Sequence, residues 1–186
     1  MKLITIIIFL LISFNLPLKV NSSNDIQKAF NGNGKLIFIR HAYAPGGGDP
    51  DNFDISNCTT QRNLNTKGIE QSINIGKFFL KNDIVIGKVL SSEWCRCKKT
   101  AEYAFKNYET RNFLNSFFSK KFSHNKDSQI KELKKYIKNW DGKDNLILIT
   151  HYVVILEVLG LSVSSGEIIV TDKDFNILTR QKNYNN

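Results

Sequence analysis

The sequence predicts a single α/β domain built on a largely parallel sheet. Three observations carry this expectation. Apolar runs of strand length recur at residues 35–40 (KLIFIR), 84–90 (IVIGKVL) and 145–150 (NLILIT). Segments with helical periodicity separate them, and the alternation of buried strand and helix is what a parallel sheet requires. The 186 residues are 41% hydrophobic and 23% charged, which suits one globular domain and excludes wholesale disorder, collagen-like repeats and a polytopic membrane protein.

The chain begins with a short positive start, Met1-Lys2, and an almost wholly apolar stretch from Leu3 to Leu18. Val20-Asn21-Ser22 then supplies the small residues a leader-peptide cleavage site needs. This predicts a signal peptide over residues 1–22, a domain over 23–186, and a periplasmic or secreted protein with no stable membrane span after cleavage. The apolar stretch is short beside the ~20 residues of a spanning helix.

Residues 23–34 are polar and rich in Gly and Asn, and read as a short helix and a turn. The run at 35–40 is a buried strand that gives way to a Gly-, Pro- and Asp-rich loop over 42–60. Residues 66–81 predict a helix with Thr66 as N-cap and Ile69, Ile73, Gly76 and Leu80 on its inner face. A second strand covers 84–90, and Ser91-Ser92-Glu93 opens a helix running to Phe105. Phe113 and Leu114 suit a short strand. Residues 128–139 read as a Lys-rich surface helix with Ile130, Leu133 and Ile137 inward. The strand at 145–150 precedes a helix over 153–159, closed by Gly160. Residues 167–171 and 176–180 form a hairpin around Lys173-Asp174.

His41 and His151 each stand just past the C-terminal end of a buried strand, the edge of an open α/β sheet where ligands bind. Arg40 precedes His41, and Arg96 lies early in the helix after the second strand. The N-terminus of that helix, around 91–93, offers backbone N–H groups suited to an anion. Two imidazoles and two guanidiniums at one crevice suit a phosphoryl group. Arginine grips phosphate oxygens bidentately, and a neutral imidazole can attack phosphorus. Arg62 is either a third phosphate contact or the partner of a loop carboxylate. His124 reads as plain surface.

Four segments, in order, resemble the histidine phosphatase superfamily, also called phosphoglycerate-mutase-like. LIFIRHAYAPG resembles its RHG signature, and QRNLNTKGIEQ the stretch that follows. VLSSEWCRCKKTAEYAF resembles its SS-x-x-x-R-x-x-x-T-A segment, and LILITHYVVI the segment with the second histidine. The resemblance implies a three-layer α/β/α sandwich and a metal-independent phosphatase without a cofactor. It implies His41 as the phosphorylated nucleophile, with Arg40, Arg96 and His151 completing the phosphate pocket. The short stretch between Arg96 and His151 leaves little room for the cap of a mutase. Ala42 stands where many members have Gly. Tyr152 after His151 excludes the branch with His-Asp there, and LNSFFSKKFSHNK lacks the Glu of another branch. The general acid therefore stays open among Glu93, Asp49, Asp51 and Glu109.

Two rival readings stand beside this one. The first is a weakly active or inactive binder of phosphorylated envelope components. The second is a cytosolic phosphohistidine phosphatase, which conflicts with the leader. Lys98, Lys99 and the lysines of 131–138 read as solvated helix faces, with only Tyr136 interleaved among the latter, so nucleic acid is not an expected partner. The formal charge of +9 falls by two when Lys2 and Lys19 leave with the leader. The expected partner is a phosphorylated small molecule or an envelope phosphate. Cys95 and Cys97 make a poor zinc site without a second pair. In an oxidising compartment Cys58 pairs with Cys95 or Cys97 and pins the 42–60 loop over the Arg96 helix.

Overall fold

The computed structural model describes residues 28–30 and 32–182. The expected leader, residues 1–22, lies outside them. Among the described residues no helix is long and apolar enough to cross a membrane.

Six strands form one sheet in the order β3-β2-β4-β1-β5-β6. They are β1 (Leu36–Arg40), β2 (Lys88–Ser91), β3 (Glu109–Thr110), β4 (Leu146–Thr150), β5 (Ile168–Thr171) and β6 (Ile177–Gln181). Strands β1, β2, β3 and β4 run parallel, while the hairpin β5–β6 adds to β1 antiparallel. The mostly parallel sheet is thus closed on one side by an antiparallel pair.

Strict alternation along the strands builds three layers. Ile37, Ile39, Ile147 and Ile149 point to one face, where Ile75 and Phe79 of α1 (Thr66–Lys81) and Cys97 and Ala101 of α2 (Cys95–Phe105) cover them. Leu36, Phe38, Leu146 and Leu148 point to the other, under Leu133 and Ile137 of α3 (Lys126–Asn139) and Val154 and Ile155 of α4 (Tyr152–Leu159). With both faces covered, the strands read as continuous apolar runs. This is the α/β/α sandwich expected.

Several elements differ from expectation. Asn65, not Thr66, caps α1, because its side chain accepts from the Gly68 N–H at 3.1 Å. The buried face of α1 is Gly68, Ser72, Ile75, Gly76 and Phe79, while Ile73 and Leu80 are exposed. The helix is turned this way because Gly76 and Gly68 mark close backbone approach: a Cβ on either would overlap the carbonyl of Ala104 or Tyr43. Strand β2 starts at Lys88, because Asn145 binds the preceding segment across the sheet end: its Nδ2 donates to the Val85 carbonyl, and its carbonyl accepts from Gly87 N–H. Helix α2 starts at Cys95, four residues later than expected. Phe113 and Leu114 lie in a 3₁₀ turn, with the short strand at Glu109–Thr110. Helix α3 starts two residues early and α4 one residue early; Gly160 closes α4 in the left-handed conformation, as expected.

Candidate active site

Strand register creates the site. Arg40 pairs with Thr150 across parallel strands β1 and β4, so the next residue on each, His41 and His151, emerge side by side at the C-terminal edge. The His41 N–H donates to the Thr150 carbonyl at 2.9 Å, extending the ladder by one bond. Their rings lie 5.4 Å apart at 64°. Both are almost wholly buried.

The hydrogen bonds fix both tautomers. The Ala42 carbonyl can only accept, so His41 Nδ1 carries the proton and donates to it at 2.8 Å. In the neutral ring the Nε2 lone pair is left available. The Arg96 Nη2 group can only donate, and it lies 3.4 Å from His151 Nδ1. His151 therefore carries its proton on Nε2 and donates to Ser92 Oγ at 2.9 Å. Ser92 Oγ in turn donates to Asn115 Oδ1 at 2.9 Å. Burial, and then the Arg96 cation, hold both histidines well below the ordinary 6.5. Both are neutral at pH 7.

Three guanidiniums line the same cavity. Arg96 projects from the first turn of α2, Arg40 from the end of β1, and Arg62 from the loop before α1. Arg40 Nη1 donates to the Val163 carbonyl at 2.7 Å, and Arg62 Nη1 donates to the Ala44 carbonyl. The Nε of all three is buried without a partner. Burial pulls the pKa of Arg40 and of Arg62 below the ordinary guanidinium value. Arg62 is thus a cavity residue whose side chain has no carboxylate bound to it among the described residues.

Asp49 answers part of this charge. Its Oδ1 accepts from Arg96 Nη1 at 2.7 Å and from the Arg62 backbone N–H at 3.0 Å. Its Oδ2 accepts from Trp94 Nε1 at 3.1 Å. The triple-glycine run Gly46-Gly47-Gly48 immediately before it lets the loop fold back, with φ positive at Gly46 and Gly48.

The helix N-terminus does not serve as the expected anion site. The N–H groups of Glu93, Trp94 and Cys95 already donate to Asn115 Oδ1, Ser92 Oγ and Gln61 Oε1. The groups left with unpartnered donors in the cavity are the guanidiniums. The loop is fastened to α2 by the Cys58–Cys95 disulfide, and by Thr100 Oγ1, which accepts from the Ala42 N–H at 3.0 Å. Cys97 stays a buried thiol, its pKa pushed by burial up to about 12. Among the described residues no three His, Cys, Asp or Glu side chains are grouped to hold a metal ion.

The cavity measures about 690 Å³. Besides the charged groups, Phe53, Trp94 and Phe122 form one wall.

Comparison with solved structures gives one family of folds. The protein histidine phosphatase SixA complexed with tungstate aligns at TM-score 0.54 and 17% identity, over 80% of this chain and 94% of that one. Phosphoglycerate mutase from Thermus thermophilus aligns at TM-score 0.56 and 14% identity, over 80% and 98%. A phosphoserine phosphatase mutant from Entamoeba histolytica, in complex with phosphoserine, aligns at 0.52 and 17%, over 73% and 89%. The chain has the histidine phosphatase fold. No family model matches it, and no curated protein is significantly similar to it in sequence.

Within that fold, the structure brings Arg40, His41, Arg96 and His151 together and adds Arg62. Of the four acid candidates, Asp49 and Asp51 line the cavity. Glu93 accepts from Asn115 Nδ2 at 2.6 Å, and Glu109 is held by Lys88 and Arg111 at the sheet margin; neither lines the cavity. Asp49 accepts on both oxygens, so it presents no proton toward a leaving group. His124 is exposed, as expected. Sequence reasoning missed the Ser92–Asn115 support of His151 and the aromatic wall. Thr100 carried a signal within SSEWCRCKKTA; the aromatic residues, scattered at 53, 94 and 122, carried none.

Proposed function

We propose that the protein is a phosphatase that hydrolyses a phosphomonoester or related phosphoryl compound through a phosphohistidine on His41. One observation carries the reading. An available imidazole nitrogen shares a cavity with three guanidiniums whose buried Nε groups have no partner. Those donors cost stability as they stand and are offset by an anion.

His41 Nε2 attacks phosphorus. The N–P bond forms as the P–O bond to the leaving group breaks, and the leaving oxygen takes a proton from solvent. Arg40, Arg62 and Arg96 spread the charge on the equatorial oxygens. His151 accepts from Arg96 Nη2 at Nδ1 and so helps to hold that guanidinium at the phosphoryl group. Water then attacks phosphorus, the N–P bond breaks, and inorganic phosphate leaves. No step uses a metal or a cofactor. Because Asp49 is occupied as an acceptor, Asp51, the other carboxyl lining the cavity, is the candidate left to assist a poor leaving group; without it turnover favours leaving groups that depart unaided.

Export through the 1–22 leader belongs to the same proposal, supported by the Cys58–Cys95 disulfide, since such bonds persist in oxidising compartments. The acceptor role of Asp49 also favours a second reading, a phosphate-ligand binder without turnover.

The test is hydrolysis of p-nitrophenyl phosphate by residues 23–186 in the presence of a chelator, against His41→Ala. The expected result is turnover that the variant loses by about 10³-fold or more. Phosphate binding without turnover selects the binder; equal activity in the variant contradicts the mechanism.

A further inference from the structure

The cavity holds much more than a phosphoryl group. Its volume of about 690 Å³ lies inside the range of about 300–1,000 Å³ typical of pockets that enclose a whole small ligand. What fills the remainder is decided by its walls. Phe53 stacks on Trp94 with centroids 5.0 Å apart at 28°. Phe122 stands edge-on to both, 5.4 Å from each. Trp94 itself lies edge-on to His151 at 5.4 Å, so the wall is continuous with the phosphate grip. Its indole N–H is engaged by Asp49 and the ring is almost wholly buried, so it backs the phenylalanine rings that face the cavity. Phe118 lines the same cavity and is 72% exposed, with Lys120 and Lys121 lining it between Phe118 and Phe122. An exposed phenylalanine beside an aromatic cluster is costly in water and gains by contact with another ring.

We propose that this wall is a leaving-group subsite for an aromatic ring. The substrate class is a phosphomonoester whose alcohol or phenol carries a ring that stacks against Phe53, Phe118 and Phe122 while the phosphoryl group sits among the arginines. The inference rests on the phosphatase reading of the site. Phe122 and Phe118 are specificity-determining residues and take no part in bond making.

The test compares 2-naphthylmethyl phosphate with ethyl phosphate. Both release a primary alcohol, so leaving-group chemistry is matched. The ring-bearing ester is expected to show a kcat/KM roughly 30-fold higher, mostly through KM. Phe122→Ala should bring that ratio to within about threefold of unity. Phe118→Ser, an exposed change that does not threaten folding, should lower it by a smaller factor. A ratio near unity in the wild type overturns the subsite while leaving the phosphatase reading intact. Binding of the two matching phosphonates, measured by calorimetry, separates the failures. If neither ester is hydrolysed yet the naphthylmethyl phosphonate binds about 30-fold tighter, the subsite stands, and p-nitrophenyl phosphate, whose leaving group needs no acid, decides the catalytic reading. Equal phosphonate affinities overturn the subsite.

Discussion

Two charged clusters meet across strands β1 and β5, joined by the Arg40 N–H donating to the Glu167 carbonyl. They share chemistry and differ in saturation. In the first, the wholly buried Glu167 carboxylate accepts from Arg180 Nε at 2.8 Å and from the Ser164 N–H at 2.8 Å, and is ion-paired with Arg180 Nη2 at 2.6 Å. Arg180 Nη2 also donates to the Ser162 carbonyl, and Lys182 stands 3.9 Å from Glu167. In the second, Arg40, Arg62 and Arg96 face one bonded carboxylate, Asp49, and each keeps a buried Nε without a partner. The first cluster is complete and closes the hairpin onto the sheet. The second is incomplete, and its unpartnered donors call for an anion.

Breaking each cluster should therefore have opposite consequences. Arg96→Ala is expected to lower kcat/KM by about 10²–10³-fold, the scale of losing a charged donor on the transferring group. It should cost less stability than the second variant, because it also relieves repulsion with Arg40 and Arg62. Arg180→Ala should leave turnover per folded molecule within about threefold, but cost about 2–3 kcal/mol. That figure sits below the full penalty for breaking a buried pair, since Arg180 is one-third exposed and Lys182 partly replaces it. Denaturant titration and steady-state kinetics on both variants check the contrast. Similar losses of activity in both would erase it.

A smaller effect separates the clusters by pH. His41 and His151 have folded pKa values depressed below 6.5, chiefly by burial. Below 6.5 the unfolded chain binds protons that the folded chain refuses, so stability is fully present above that pH and falls as pH drops. Between pH 7 and 5.5 the loss should be about 1 kcal/mol per histidine. Acid opening should begin at the cavity, and hydrogen exchange at pH 5.5 should find it there before the β5–β6 hairpin. Uniform opening would count against buried neutral histidines.

Much of this was legible in the sequence because the sheet speaks in short range. LIFIR and LILIT are continuous apolar runs, and the residue after each names its own place at the strand end. The pairing of His41 with His151 follows from parallel register alone. The motif segments carried Arg96 and the order of the elements. Other features depend on contacts across the chain. Asp49 meets Arg96 forty-seven residues away, after a glycine run that gives no periodic signal. Cys58 chose Cys95 over Cys97 because Cys97 lies inward against the sheet beside His151. The inner face of α1 escapes a count of apolar positions because glycine carries no side chain to count, although it marks where the backbones come closest. The helix N-terminus looks available as an anion site in the sequence, but Gln61, Ser92 and Asn115 occupy it.

The most direct measurement is to mix residues 23–186 with a phosphoryl donor, quench within milliseconds in alkali, where phosphohistidine survives, and map the phosphate by mass spectrometry. The mechanism predicts a single phosphoryl group on His41, absent in His41→Ala and accumulating far more slowly in Arg96→Ala. Phosphate on another residue, or turnover in His41→Ala with no labelled histidine, would contradict it.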